Sequence, residues 1–205
     1  MSLKGNIIDA TYVQSQDPTK TQPTQSDLAT AALQAMNSSQ TDAMTLVNSY
    51  KEEYGLGIST LVMIYNATGT ALNLRSSDDD SGHIGKYPYD AVIQNGQWSV
   101  FLHVHTSGSA AGSIGAVGYT IQDDTGKVAV IAWNNPYNSS ASAFADVWSS
   151  SGFHATSWDQ VFDLASDGGT TGHGDADGRK YGYAAPYTMG GTSSPLYQVT
   201  VKKTS

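Results

Sequence analysis

The feature that most constrains this chain is a succession of short apolar segments, separated by turn signals, that begins near Gly57. After the Asn95-Gly96 pair, apolar side chains recur at every second position from Trp98 to Val104. A period of two places successive side chains on opposite faces of a strand, and Asn-Gly favours a tight hairpin turn. The pattern predicts a protein built from many short strands, with the Trp98 set in the core.

Further segments show the same alternation between turn residues. We predict strands that begin around Leu61, continue through Leu72 and Leu74 after the Asn66–Gly69 turn, and close the chain near Tyr197. Two more are predicted over residues 114–121 and 127–133, joined by the turn at 123–126. These strands are numerous enough to form a two-sheet sandwich or a barrel.

Helical spacing is confined to two regions. Ser26 is placed to cap a helix, and the apolar residues that follow it recur at three- and four-residue intervals up to Tyr50. The polar stretch from Asn37 to Gln40 predicts a break, and hence two short N-terminal helices. A further short helix is predicted near residues 157–165.

The domain organisation follows from length and local composition. Residues 1–24 are mostly polar and predict an extended N-terminal arm. Residues 25–205 are enough for one core, and β-sandwiches of this size commonly remain undivided. We therefore expect a mainly β, single-domain sandwich with short flanking helices, the N-terminal helical pair included.

Charge and composition exclude several classes of function. The net charge is −8, with only ten Lys and Arg, so a surface that tracks nucleic-acid phosphates is not expected. There is no Cys, no apolar run of a signal peptide and no segment long and apolar enough to span a membrane. We expect a cytoplasmic protein and leave secretion by a non-standard route open.

Two groups of aspartates are weak candidates for calcium, because hard cations prefer several converging oxygens. They are Asp78, Asp79 and Asp80, and the pair Asp175 and Asp177. Neither group matches a full EF-hand loop, and such aspartates more often cap turns in solvated loops. We therefore predict no cofactor, with calcium as the alternative.

Motifs of common enzymes are missing from the sequence. There is no G-x-S-x-G elbow, no phosphate-binding GK[ST] loop and no G-x-G-x-x-G after a strand. His103 and His105 share a strand face, but no third metal ligand can be named beside them. We expect a non-enzymatic binding protein, against the alternative of a hydrolase that uses loop Asp and His side chains.

Several motifs resemble the plant 23-kilodalton jasmonate-induced protein family. They are GISTL, YNATG, SGHIG and NGQW-x-x-FLHV, all within residues 55–105, and the likeness extends over about residues 26–165. The family is described chiefly as stress- and defence-responsive, without an agreed reaction. The resemblance therefore implies a defence-type protein and names no mechanism.

A more distant resemblance joins the segments GSIGAVGY, VAVIAW and NNPYN to the actinoporins and related cytolysin-fold proteins. It implies a β-sandwich that holds a small polar ligand, glycan or lipid head group, with a quaternary ammonium bound among aromatic rings. The residues that match this expected pocket are Val117, Asn134, Pro136, Tyr137, Trp158 and Phe162.

Two departures from the actinoporin pattern bear on function. Residues 138–143, which follow the Pro136-Tyr137 pair, contain no aromatic side chain for a membrane. The N-terminal helical region lacks the wide apolar face and basic flank of an interfacial helix. We therefore expect a binding module, and keep a pore-forming cytolysin as the alternative; the sequence gives no expectation for the oligomeric state.

Overall fold

The computed structural model describes residues 3–108, 111–123, 125–172 and 181–204. Its helices are α1 (Ala10–Gln16), α2 (Gln25–Tyr54), α3 (Ser150–Ala155) and α4 (Trp158–Ser166). Its strands are β1 (Leu3–Lys4), β2 (Ser59–Ala67), β3 (Leu72–Ser81), β4 (His83–Ile84), β5 (Val92–Ile93), β6 (Trp98–Val104), β7 (Ser113–Ile121), β8 (Val128–Asn135), β9 (Ser142–Trp148), β10 (Thr171–Gly172), β11 (Tyr183–Ala184), β12 (Tyr187–Met189) and β13 (Leu196–Lys203).

Within these residues the strands form two sheets. Sheet A has the order β1-β6-β2-β13-β12-β10, with β4 beside β6 and β11 beside β13. Sheet B has the order β5-β3-β7-β8-β9. The central β2 and β13 of sheet A are parallel, whereas the remaining described pairs are antiparallel. The expected mainly β sandwich with flanking helices is confirmed.

Side chains from both sheets meet in the central core, where Val62 and Phe101 of sheet A pack in one cluster with Ile131 and Trp133 of sheet B. The outer face of sheet A is covered by α2, and the outer face of sheet B by α3 and α4. The molecule therefore consists of four layers, with a helical layer on each side of the paired sheets.

Strand β6 shows how this layering changes the sequence interpretation. The Trp98 set is buried as expected, but against α2 on the outer face of sheet A. The opposite set is buried as well, because Phe101 and His103 point into the space between the sheets. A strand covered on both faces buries both of its side-chain sets.

The two expected N-terminal helices are one continuous helix, which corrects the sequence prediction. The residues from Asn37 to Gln40 lie within α2, where the Ser38 hydroxyl donates to the Ala35 carbonyl 2.7 Å away and Ser39 is buried. Polar side chains that bond back to the helix do not break it when one face packs on a sheet. The N-cap is Thr24 in a reciprocal capping box with Asp27, and not the expected Ser26.

The N-terminal arm also differs from the extended segment that we expected. It contains β1, which pairs with β6, and helix α1, whose N-cap Asp9 accepts a hydrogen bond from the Tyr12 amide at 2.8 Å. Ile8 and Val13 are buried in the cluster between α2 and sheet A. Burial of these two apolar side chains and the pairing of β1 hold the arm against the domain, which its mostly polar sequence did not predict.

The C-terminal helix was predicted well. Helix α4 begins after Ser157, which forms a capping box with Gln160, and it buries Val161, Phe162 and Ala165 against sheet B. The short α3 before it was not anticipated, since its six residues carry little helical periodicity.

Candidate functional site

One end of the sandwich collects several loops, and we call it the rim: residues 55–58 before β2, 105–108 after β6, 136–141 between β8 and β9, and 190–195 before β13. The Asn135 side-chain amide, at the end of β8, donates to the Ser59 carbonyl at 3.1 Å and the Ser193 carbonyl at 3.2 Å, which ties β8 to the start of β2 and to the 190–195 loop. The rim is the surface on which loops from both sheets converge.

Three of the six pocket candidates lie at the rim. Asn134 is buried at the end of β8, with its side-chain amide donating to the Ser142 hydroxyl at 3.0 Å. Pro136 is half-buried, and the Tyr137 side chain is 57% exposed. The Tyr137 ring is therefore free to contact a ligand or a surface.

The other three candidates lie elsewhere. Val117 is fully buried between the sheets. Trp158 and Phe162 pack with Phe153 on the outer face of sheet B. The Ser166 end of α4 reaches the rim, since its carbonyl accepts from Ser142, but Trp158 lies about 12 Å further along the helix. The structure does not bring these three residues together with Tyr137.

The aspartate groups give no convergent cation site in the described residues. Asp78, Asp79 and Asp80 lie on strand β3, not in the expected loop, and an irregularity in the pairing with β7 falls at Asp80, between Asp79 and Ser81. Throughout the described part of the chain no group of three or more His, Asp or Glu side chains is placed to hold a metal ion. Asp175 and Asp177 lie outside the described residues.

A chain of polar side chains, buried except at its Asp79 end, connects the two sheets near the rim. His103 is fully buried, with Nδ1 2.8 Å from the Ser113 hydroxyl and Nε2 3.1 Å from the Asp79 carboxylate. The Ser113 hydroxyl also lies 2.8 Å from the Thr60 hydroxyl. Burial lowers the pKa of His103, and the hydrogen bond to Asp79 only partly opposes that effect.

This Asp-His-Ser order resembles a catalytic triad, but its nucleophile is inaccessible. Ser113 is fully buried, and its oxygen contacts Thr60, the His103 ring and the His103 carbonyl. A substrate carbonyl must come within about 3 Å of the nucleophile to react. In this conformation the hydrogen-bonded side chains connect the two sheets, and the Ser113 hydroxyl is not accessible to a substrate from solvent.

A second polar feature near the rim is a small cleft that we call the tyrosine cleft. It is lined by residues of α2 and of the segment after β4, and has a volume of about 170 Å³. Its lining residues are Tyr50, Glu53, Tyr54, Gly85, Lys86, Tyr87 and Leu102.

Both walls of the tyrosine cleft are held by neighbouring elements. Tyr50 and Tyr54 are one helical turn apart on α2, so both reach the same side. Gly85 donates to the Leu102 carbonyl at 2.7 Å, and a side chain at Gly85 would lie only 2.8 Å from that oxygen. The missing side chain lets the chain approach β6 closely, which brings Tyr87 onto Tyr50 with ring centroids 4.1 Å apart.

The mouth of the cleft carries one charge of each sign. The Glu53 carboxylate accepts from the Tyr87 hydroxyl at 2.9 Å and from the Lys86 ammonium. The bond to Lys86 lowers the pKa of Glu53, and the same bond raises the pKa of Lys86. Both groups are therefore charged at neutral pH, beside the Tyr87 ring that lies 5.4 Å from the Lys86 nitrogen.

Sequence reasoning missed this cleft. The only local signals were the aromatic run Lys86-Tyr87-Pro88-Tyr89 and the tyrosines four residues apart at 50 and 54. Neither signal predicts the other, because 37 residues separate Tyr50 from Tyr87 and only the packing of α2 on sheet A brings them together.

Among helices in the described residues, none is long and apolar enough to cross a membrane.

Comparison with known proteins identifies a relative of similar sequence. A relative 35% identical over 173 residues is the 23 kDa jasmonate-induced protein of Hordeum vulgare, with 82% of this chain and 81% of that protein covered. The resemblance to the jasmonate-induced family is thus confirmed.

Solved structures give a second comparison. The crystal structure of the lipid-binding protein Nakanori matches with a TM-score of 0.89 and 28% identity, over 98% of this chain and 100% of that one. RahU, solved with a Tris molecule, is a remote match with a TM-score of 0.45 and 12% identity, over 72% and 96% of the two chains. The family model of Nakanori-like proteins matches residues 4–204. The chain therefore belongs to the Nakanori-like protein family.

Proposed function

We propose that this protein is a non-enzymatic binding protein that recognises a zwitterionic lipid head group in the tyrosine cleft. The observation that carries the proposal is the pair Glu53 and Lys86 at the mouth of a cleft whose walls include the stacked rings of Tyr50 and Tyr87. The similar Nakanori structure is that of a protein described as lipid-binding, which supports the same direction.

The charges match the two halves of such a head group. The Lys86 ammonium suits a phosphate oxygen, while the Glu53 carboxylate and the tyrosine rings suit an ammonium group. Both side chains are well exposed, so their mutual ion pair contributes little, and a ligand that supplies both charges replaces it at small cost. A neutral glycan, the other ligand class considered, would leave the two charges unused.

The Pro136-Tyr137 loop, which the sequence resemblance singled out, is proposed to make a secondary contact. Tyr137 is exposed at the same rim, where its ring is available to the lipid surface around a bound head group. Trp158 and Phe162 fill the outer core of sheet B and are not assigned a role in binding. The name of the Hordeum vulgare relative, a jasmonate-induced protein, agrees with the stress or defence context that the family resemblance implies.

Calorimetry with phosphocholine and phosphoethanolamine, together with sedimentation on vesicles of choline, ethanolamine and anionic lipids, tests the proposal. Tyr87→Ala removes one ring of the stack and should weaken phosphocholine binding roughly 2- to 30-fold, the range for one good cation–π contact. Tyr87→Phe keeps the ring and is the matched control. Glu53→Gln should weaken binding while it leaves the cleft its shape.

Four results would decide the proposal. Wild-type protein that binds neither soluble head groups nor vesicles, or equal binding by Tyr87→Ala and wild type, would refute it. Binding confined to a glycan panel would favour a glycan ligand. Release of a trapped dye from choline-lipid vesicles would favour the pore-forming alternative, in which binding is only the first step.

A further inference from the structure

Leu56 is the most exposed large apolar side chain of the described residues, at 99% exposure. It lies in the turn between α2 and β2, flanked by Gly55 with φ +84° and Gly57 with φ +122°. Backbone in this region strongly favours glycine, so the two glycines fix the course of the turn. The leucine between them projects into solvent at the rim.

The turn that carries Leu56 is stabilised by hydrogen bonds from a side chain of α2. The Lys51 ammonium donates to the Gly55 carbonyl and to the Gly57 carbonyl, both at 2.8 Å. A side chain at Gly57 would lie 2.6 Å from the His105 ring nitrogen and 3.1 Å from the Tyr54 hydroxyl. These contacts hold the turn in place within the rim, so the exposed leucine lies on a loop of fixed conformation.

Leu56 lies beside the tyrosine cleft and on the same end of the molecule as Tyr137. Tyr54, which lines the cleft, is two residues before Leu56. Three residues after Leu56, the Ser59 carbonyl accepts from Asn135, which itself is two residues before Tyr137. An exposed leucine and an exposed tyrosine near a head-group cleft resemble the side-chain mixture of membrane-interface surfaces.

We propose that the Leu56 turn enters the acyl region of a bilayer and holds the protein with the tyrosine cleft at head-group level. This inference rests on the proposed lipid binding. A bilayer suits a single protruding side chain because it needs no shape complementarity, whereas a protein interface needs about 800 Å² on each partner. The cleft then binds the head group while Leu56 adds affinity for the membrane itself.

The test compares Leu56→Ala with Ile7→Ala in sedimentation on phosphatidylcholine vesicles and in calorimetry with soluble phosphocholine. Ile7 is 51% exposed but lies at the end of β6 that is opposite to the rim. Its neighbour Ile8 donates its backbone amide to the Asn95 carbonyl, which precedes the start of β6. Loss of the three buried leucine carbons should lower vesicle partitioning of Leu56→Ala about 10- to 50-fold. Phosphocholine binding should be unchanged in both variants, and vesicle binding unchanged in Ile7→Ala.

A second variant gives a direct readout of depth. The emission that Leu56→Trp adds to the wild-type signal should be quenched by lipids brominated in their acyl chains, and not by a water-soluble quencher. Equal vesicle partitioning of Leu56→Ala and wild type, or added emission quenched only from water, would overturn the inference while leaving head-group binding intact. Absence of both phosphocholine and vesicle binding in the wild type would overturn both proposals.

Discussion

Asn95 links three segments that are far apart in the chain. Its buried side-chain amide donates to the Ile8 carbonyl at 2.8 Å and to the Leu28 carbonyl at 3.1 Å. Its side-chain oxygen accepts from the Gly69 amide at 2.9 Å. The N-terminal arm, the first turn of α2 and the turn between β2 and β3 thus share one anchor, which Asn95→Ala would remove.

The expected cost follows from these three bonds. A neutral hydrogen bond contributes about 1 kcal/mol, and more is lost when a buried partner is left unpaired, as the Gly69 amide would be. Asn95→Ala should therefore lower the free energy of unfolding by about 3 kcal/mol. In a domain of this size that corresponds to a decrease of about 6 to 12 °C in Tm.

Urea unfolding followed by circular dichroism, with a thermal scan beside it, measures this cost. Asn138→Ala, in the exposed loop after β8, is the control and should change stability by less than about 0.5 kcal/mol. If Asn95→Ala lost under about 1 kcal/mol, the value of a single bond, the three bonds would not act as an anchor. Loss of helical signal from α1 alone would show that only the arm depends on it.

Three further predictions concern stability. Burial lowers the pKa of His103 below its unfolded value of about 6.5, so stability should be greatest above that pH and decline as the pH falls from it. His103→Asn should make this pH dependence weaker in urea titrations between about pH 7.5 and 5.5. Gly69→Ala should lower the free energy of unfolding by about 2 kcal/mol or more, since its side chain would lie 2.1 Å from a backbone oxygen. Gly108 has the same φ of +79° and no atom nearby, so Gly108→Ala should lose only about 1 kcal/mol through conformational strain. Equal losses in the two variants would exclude the clash. Thr24→Ala should cost about 1 kcal/mol through the lost cap, and Ser26→Ala almost nothing, a ranking that thermal unfolding would reverse if Ser26 were the cap.

The candidate site shows where sequence reasoning stops. The Pro136-Tyr137 loop was identified and lies at the rim, but the tyrosine cleft and the exposed Leu56 were not foreseen. A cleft depends on which side chains remain uncovered after packing. Nothing in the local sequence distinguishes the buried Val117 from a residue on an open surface.

Local periodicity determined which segments became strands and where α4 begins, because strand alternation and a capping box such as Ser157 with Gln160 involve near neighbours in the chain. Tertiary structure alone decided that α2 runs unbroken through Asn37–Gln40, that both faces of β6 are buried, and that His103 meets Asp79. These outcomes depend on contacts between residues distant in sequence, whose free energies exceed the local preferences they override.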